Sequence, residues 1–185
     1  MKIIQSFWTG NTNVIPSCGW FSEKHHLLGW ILSVNQLCKY YDEVELVTDA
    51  YGYELLIEKL QLPYTNVHVI LDELNTYPSD LWALAKIKTY QIQKEPFLHV
   101  DGDVFIWEKF SDKLMASNLI AQNIETTSDY YRSMWADIRP HLTHLPTSME
   151  LFDQSVHNKA YNMGIFGGNN IEFMQKYCEA SFAFV

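Results

Sequence analysis

The chain has 185 residues, of which 48% are hydrophobic and 19% are charged, a composition that suits one folded domain and not a disordered segment. Its formal net charge of −9 and the lack of any Lys/Arg run disfavour nucleic-acid binding. Three scattered cysteines exclude a disulfide framework, and no stretch is apolar for long enough to be a secretion signal or a membrane span, so we expect a cytoplasmic protein.

Strand and helix patterns alternate through the first hundred residues. Short apolar runs bounded by turn-forming residues predict strands at 3–8, 44–48, 67–71 and 97–100. Apolar residues at helical spacing predict helices at 22–41, 53–60 and 79–92. Alternation of this kind builds a mostly parallel sheet flanked by helices, so we predict an α/β fold.

The second half of the chain carries weaker patterns. We predict strands at 119–122 and 165–166, and helices at 129–138 and from 171 to the last residue. The segment Val104–Trp107 is expected to continue the fourth strand or to begin a new one. No linker or repeat divides the sequence, so we expect one domain over 1–185, with a final helix that is cut short.

A pair of acidic residues follows the fourth predicted strand, in the sequence Asp101-Gly102-Asp103. In an open α/β sheet, ligands bind beyond the carboxyl ends of the strands. Carboxylates two residues apart in an extended segment project to the same side, and they repel each other unless a cation or a group of donors compensates them. Mg²⁺ or Mn²⁺ is the natural partner, and Gly102 leaves room for a ligand to approach the backbone. A solvated turn is the alternative interpretation.

Several segments, in this order, resemble the GT-A-fold glycosyltransferases, most of all the capsular-polysaccharide and DxD sugar-binding groups. The segments are Val47-Thr48-Asp49, Leu84-Ala85-Lys86-Ile87-Lys88, Pro96 to Val104, and Tyr161 to Gly168 with its Asn-x-Gly sequence. The resemblance implies a metal-dependent enzyme that moves a sugar from a UDP-type nucleotide-sugar to a saccharide acceptor, in surface-polysaccharide synthesis. It also implies a nucleotide-binding half at 1–107 and a partial acceptor half at 108–185.

The resemblance assigns roles to particular residues. Asp101 and Asp103 would hold Mn²⁺ or Mg²⁺, with Asp101 touching either the metal or the ribose, and Lys86 would add positive charge at the leaving diphosphate. The other expected donor contacts are Phe7, Trp8 and Thr9 beside the base, Asp49 at uracil or ribose, and Asn162, Gly164 and Gly167 near the donor sugar or the acceptor. Each has a structural alternative: a solvated lysine for Lys86, core for Trp8, a helix cap for Asp49 and a turn for Gly167.

Other groups are open candidates for chemistry. An inverting mechanism needs a carboxylate base on the acceptor side, and the sequence offers Glu125, Asp129, Asp137 and Asp153 without selecting among them. A histidine could complete the metal shell, and the candidates are His141, His144 and His157. His25 and His26 point in different directions on a helix, so we expect both at the surface.

Two other functions compete with sugar transfer. The segment LHVDGDVFI also resembles the first motif of haloacid dehalogenase-type phosphatases, in which Asp101 would be the nucleophile and Asp103 the acid/base. That motif normally ends the first strand of its domain, whereas three predicted strands precede it here, and no paired acidic motif follows it. The third possibility is a fragment that binds a nucleotide-sugar without turning it over.

Overall fold

The structure is a computed structural model that describes residues 1–10, 12, 19–125, 129–147, 149–150 and 160–185. Within these ranges the strands are β1 (Lys2–Phe7), β2 (Val44–Thr48), β3 (Asn66–Val69), β4 (Phe97–Val100), β5 (Ile120–Glu125) and β6 (Ala160–Gly168). The α-helices are α1 (Glu23–Tyr40), α2 (Ala50–Tyr53), α3 (Ala83–Gln91), α4 (Asp112–Met115), α5 (Asp129–Ile138) and α6 (Ile171–Phe184). A π-helical segment, Glu54–Lys59, follows α2, and 3₁₀ turns occupy Leu71–Thr76, Ser79–Leu81 and Arg139–His141.

The six strands form one mixed sheet in the order β3-β2-β1-β4-β6-β5. Strands β3, β2, β1 and β4 run parallel, whereas β6 is antiparallel to both β4 and β5. The predicted α/β class with a mostly parallel, helix-flanked sheet is therefore confirmed. From β1 the chain moves outward to β2 and β3 and then returns to place β4 on the other side of β1. The carboxyl ends of β1 and β4 thus flank the position where ligands bind in sheets of this type.

Successive residues of the central strands point to opposite faces of the sheet and build two apolar layers. Ile3 of β1 and Leu98 of β4 pack with α1, whereas their neighbours Ile4 and Phe97 pack with α3 and α6. All four residues of β4 are buried, so the turn that follows β4 starts from a rigid base. No helix in the described ranges is both long and apolar enough to cross a lipid bilayer.

Several predicted elements differ from the observed ones, and the helix expected at 79–92 is the 3₁₀ turn Ser79–Leu81 followed by α3. Val104–Trp107 is not a strand, because Val104 N–H donates to the carbonyl of Asp101 (3.1 Å) and closes a turn, while Ser33 Oγ donates to the carbonyl of Val104 (2.8 Å). The helix expected at 53–60 is α2 followed by the π-helical segment. The short strand expected at 165–166 is the nine-residue β6, which is long because it pairs with a strand on each side.

Candidate functional site

A cleft of about 650 Å³ opens beyond the carboxyl ends of β1 and β4. Its lining comes from the end of β1, the turn after β4, the first residues of α3 with the 3₁₀ turn before it, and aromatic residues at or just before α1. Among the residues expected to bind a donor or a metal, those that line it are Phe7, Trp8, Thr9, Lys86, Asp101 and Asp103.

The two carboxylates reach this cleft through a turn and not through an extended segment. Asp101 N–H donates to the carbonyl of Gly164 (2.8 Å), and its own carbonyl accepts from Val104, so the chain reverses directly after Asp101. The space expected to admit a ligand at Gly102 is filled by the protein itself. A Cβ atom on Gly102 would lie 2.4 Å from Cε2 of Trp30, so the glycine accommodates the indole ring.

Asp101 has a cationic partner inside the cleft. Lys86 Nζ lies 2.6 Å from Asp101 Oδ2, and about four fifths of each side chain is buried. Burial raises the pKa of Asp101 and the charge of Asp103 acts in the same direction, while the charge and hydrogen bond of Lys86 oppose both. Lys86 therefore forms an ion pair with Asp101 within the protein itself. It is not the solvated lysine that was the structural alternative for this residue.

A buried histidine lies next to this ion pair. His99, on β4, is completely buried, its Nε2 lies 2.9 Å from Ser6 Oγ, and its Nδ1 lies 3.6 Å from Asp101 Oδ1. Burial lowers the pKa of His99 well below its usual range, and the charge of Lys86 acts in the same direction. His99 is therefore neutral at physiological pH, and Lys86 is the cation that faces Asp101.

The acidic turn suits a hard cation that takes its remaining ligands from substrate and water. Burial raises the pKa of Asp101, and the like charge of Asp103 adds to this effect, so the two carboxylates repel each other. No group of three or more Asp, Glu, His or Cys side chains suited to a metal occurs within the described part of the chain. Mg²⁺ and Mn²⁺ sites with one or two carboxylates, completed by phosphates and waters, match this donor set. His141 and His144 are exposed and join no such group, and His157 lies outside the described residues.

The residues expected beside the base are mostly engaged within the protein. Asp49 is 2% exposed; one oxygen accepts from the N–H and hydroxyl of Thr9, both at 2.7 Å, and the other accepts from Gly52 N–H at the start of α2. Trp8 donates its indole N–H to Asn75 Oδ1 (3.1 Å). Asp49 is thus a helix cap that also fixes the end of β1. A contact from Asp49 to a nucleotide stays a prediction.

The Asn-x-Gly residues of β6 lie behind the acidic turn and are not among the described residues that line the cleft. Asn162 accepts from Gly164 N–H (2.9 Å) and donates to Glu125 Oε1 (3.1 Å), and the carbonyl of Gly164 holds Asp101. A Cβ atom on Gly167 would lie 2.2 Å from the carbonyl oxygen of Phe97, so Gly167 lets β6 pack against β4. Sugar contacts of these residues stay predictions.

Of the candidate bases that the structure describes, Glu125 is the one connected to the acidic turn, through Asn162 and Gly164. It accepts hydrogen bonds from Tyr131 and from Asn162, which together lower its pKa. Asp129 and Asp137 are exposed residues of α5, and Asp153 lies outside the described residues.

The sequence did not indicate the aromatic walls of the cleft. Trp20, Trp30 and Trp82 line it together with His26, which is buried against Trp30 and accepts from its indole N–H (3.0 Å). The expectation that His26 lies at the surface is therefore wrong, whereas His25 is exposed. Two spacings in the sequence could have predicted these neighbours. His26 and Trp30 are four residues apart, as are Trp82 and Lys86, so each pair shares a helix face.

Comparison with known families gives one assignment. A family model described as "Family of unknown function (DUF6734)" matches residues 1–185. The chain belongs to the DUF6734 family. No curated protein matches its sequence significantly.

Among solved structures, the DUF6734 chain is similar to the crystal structure of mouse xyloside xylosyltransferase 1 in its apo form. The TM-score is 0.52 at 12% sequence identity, and the match covers 97% of this chain and 70% of the mouse chain. At this identity the likeness shows the fold, and the fold is glycosyltransferase-like.

Proposed function

We propose that this DUF6734 protein binds a UDP-type nucleotide-sugar in the cleft together with Mn²⁺ or Mg²⁺, and transfers the sugar to a saccharide acceptor. The observation that carries the proposal is that Asp101, Asp103 and Lys86 line one cleft beyond the carboxyl ends of β1 and β4. The glycosyltransferase-like fold of the chain supports this assignment. Surface-polysaccharide synthesis remains the proposed setting.

The charges in the cleft suit departure of a nucleoside diphosphate. Asp101 and Asp103 would hold the divalent cation, which would supply Lewis-acid stabilisation of the negative charge on the leaving diphosphate. Lys86 contributes a second positive charge, because its flexible side chain can turn from Asp101 Oδ2 to a phosphate oxygen. The ion pair between Lys86 and Asp101 keeps both side chains in place before the ligand binds.

The hydrogen bonds behind the turn link this charged region to the proposed acceptor side. Asn162 joins Glu125 of β5 to Gly164, which in turn holds the backbone of Asp101. We propose that this connection sets the position of the acidic turn relative to the donor sugar. The phosphatase is not favoured, because Asp101 and Asp103 follow the fourth strand of a glycosyltransferase-like sheet.

The metal role of Asp103 is testable by calorimetric titration of UDP in the presence of Mn²⁺. We expect Asp103→Asn to weaken UDP binding by more than about tenfold, because a metal ligand contributes at least as much as the outer-shell groups that orient one. Asp112→Asn makes the same change of charge at an exposed residue of α4, so it should bind UDP like the parent. Equal affinity of Asp103→Asn and the parent in excess Mn²⁺ would contradict the proposal.

Activity measurements separate the three functions. Release of UDP from a UDP-sugar, stimulated by Mn²⁺ and by a saccharide acceptor, supports the transferase. Binding of UDP without any turnover supports a binding fragment. Hydrolysis of p-nitrophenyl phosphate that UDP does not inhibit supports the phosphatase.

A further inference from the structure

The aromatic residues that line the cleft differ sharply in how much surface they offer to a ligand. Phe7, Trp8 and Trp30 are 3%, 7% and 4% exposed, so their rings are used in the core. Trp20 stacks on His26 at an interplanar angle of 15°, and a Cβ atom on Gly29 would lie 2.8 Å from Cζ2 of Trp20. Trp82 is 64% exposed and lines the same cleft.

Trp82 stands next to the charged end of the cleft. It immediately precedes α3, its backbone is already helical, and it lies four residues before Lys86, so the two side chains share one helix face. Lys86 Nζ lies 5.6 Å from the centroid of the indole ring and 2.6 Å from Asp101 Oδ2. The indole ring, the lysine and the acidic turn therefore follow one another along the cleft.

We propose that Trp82 is the stacking platform for a ring carried on the diphosphate whose phosphates lie at Lys86, either the nucleobase or the sugar. This inference rests on the proposed function and adds a ring subsite to it. A large exposed aromatic face beside a cation suits a ligand with a flat or cyclic group next to an anionic one, since stacking and charge are then satisfied together. The buried Phe7, Trp8 and Thr9 leave Trp82 as the more accessible surface for that ring.

Comparing ligands with and without a ring tests this role. We suggest measuring the affinities of pyrophosphate, UDP and UDP-glucose for the protein in the presence of Mn²⁺, with Trp82→Ala and Trp82→Phe beside the parent. Trp107→Ala is the matched control, because Trp107 is 68% exposed and is not among the described residues that line the cleft.

The expected result is a selective loss. Trp82→Ala should weaken binding of a ring-bearing ligand by about 5- to 100-fold, leave pyrophosphate within about twofold, and be largely rescued in Trp82→Phe, whereas Trp107→Ala should match the parent. Equal losses for UDP and UDP-glucose identify the base as the stacked ring, and a loss confined to UDP-glucose identifies the sugar.

Two outcomes would overturn the inference while leaving the proposed function intact. In the first, Trp82→Ala binds UDP and UDP-glucose with the affinity of the parent. In the second, Trp82→Ala loses as much affinity for pyrophosphate as it loses for UDP. A parent protein that binds none of the three ligands would refute the proposed function and this inference together.

Discussion

Gly102→Ala should destabilise the protein, because the added methyl group would collide with Trp30, which lines the cleft. The new methyl carbon would lie 2.4, 2.5 and 2.7 Å from Cε2, Cζ2 and Cδ2 of Trp30, about 1 Å closer than the usual separation of carbon atoms in contact. Trp30 is 4% exposed and donates a hydrogen bond from its indole N–H to His26, so the indole cannot move without losing this buried hydrogen bond. Overpacking of this kind costs about 1–3 kcal/mol.

Thermal and urea unfolding measure that cost. For a chain of this size we expect the melting temperature of Gly102→Ala to fall by about 2 to 12 °C. All three crowded atoms belong to the six-membered ring of Trp30, so Trp30→Leu removes the obstacle. Gly102→Ala should therefore cost clearly less in a Trp30→Leu background than in the parent. A cost below about 0.5 kcal/mol, or the same cost in both backgrounds, would refute this reasoning.

Three further predictions concern the carboxylates around the site. Asp49→Ala should lower the free energy of unfolding by about 2–4 kcal/mol in urea titrations, because it removes the acceptor of three buried hydrogen bonds; a loss below about 1 kcal/mol would contradict the capping role. Burial raises the folded-state pKa of Asp101 above its ordinary 3.8, so the folded protein binds this proton more tightly than the unfolded chain. Without divalent cations, the parent should lose stability relative to Asp101→Asn as pH rises from 3.8 through the raised pKa, and a relative gain would contradict the assignment. Tyr131→Phe should return the lowered pKa of Glu125 towards its usual range in a carboxyl NMR titration, whereas Tyr130→Phe should leave it unchanged.

The fold was largely predictable because its central strands are short runs rich in apolar residues, bounded by turn-forming residues. The run at 97–100 is buried on both faces, and such a strand is visible in sequence as a mostly apolar segment, here containing His99, followed by polar residues. The direction of β6 was not predictable, because the alternation of side chains is the same in parallel and antiparallel strands. A turn at Asp101-Gly102-Asp103 was an alternative that the sequence did not select, since its partners Ser33 on α1 and Gly164 on β6 are distant in sequence.

The site was predictable where chain order alone brings residues together. Asp101 and Asp103 follow a buried strand, and Lys86 lies on the helix before that strand, so the α/β alternation places all three at one end of the sheet. The exposure of Trp82 and the burial of Trp30 could not be distinguished in sequence, because both are tryptophans at helical positions and only the packing of the sheet separates them.

The central claim is that Asp101 and Asp103 hold a divalent cation against a nucleoside diphosphate in this cleft. A crystal structure of the protein with UDP and Mn²⁺, with an anomalous difference map for manganese, tests it most directly. We expect a manganese peak within about 2.5 Å of a carboxylate oxygen of Asp103 and of a phosphate oxygen. UDP bound elsewhere, or bound in the cleft without manganese at the acidic turn, would contradict it.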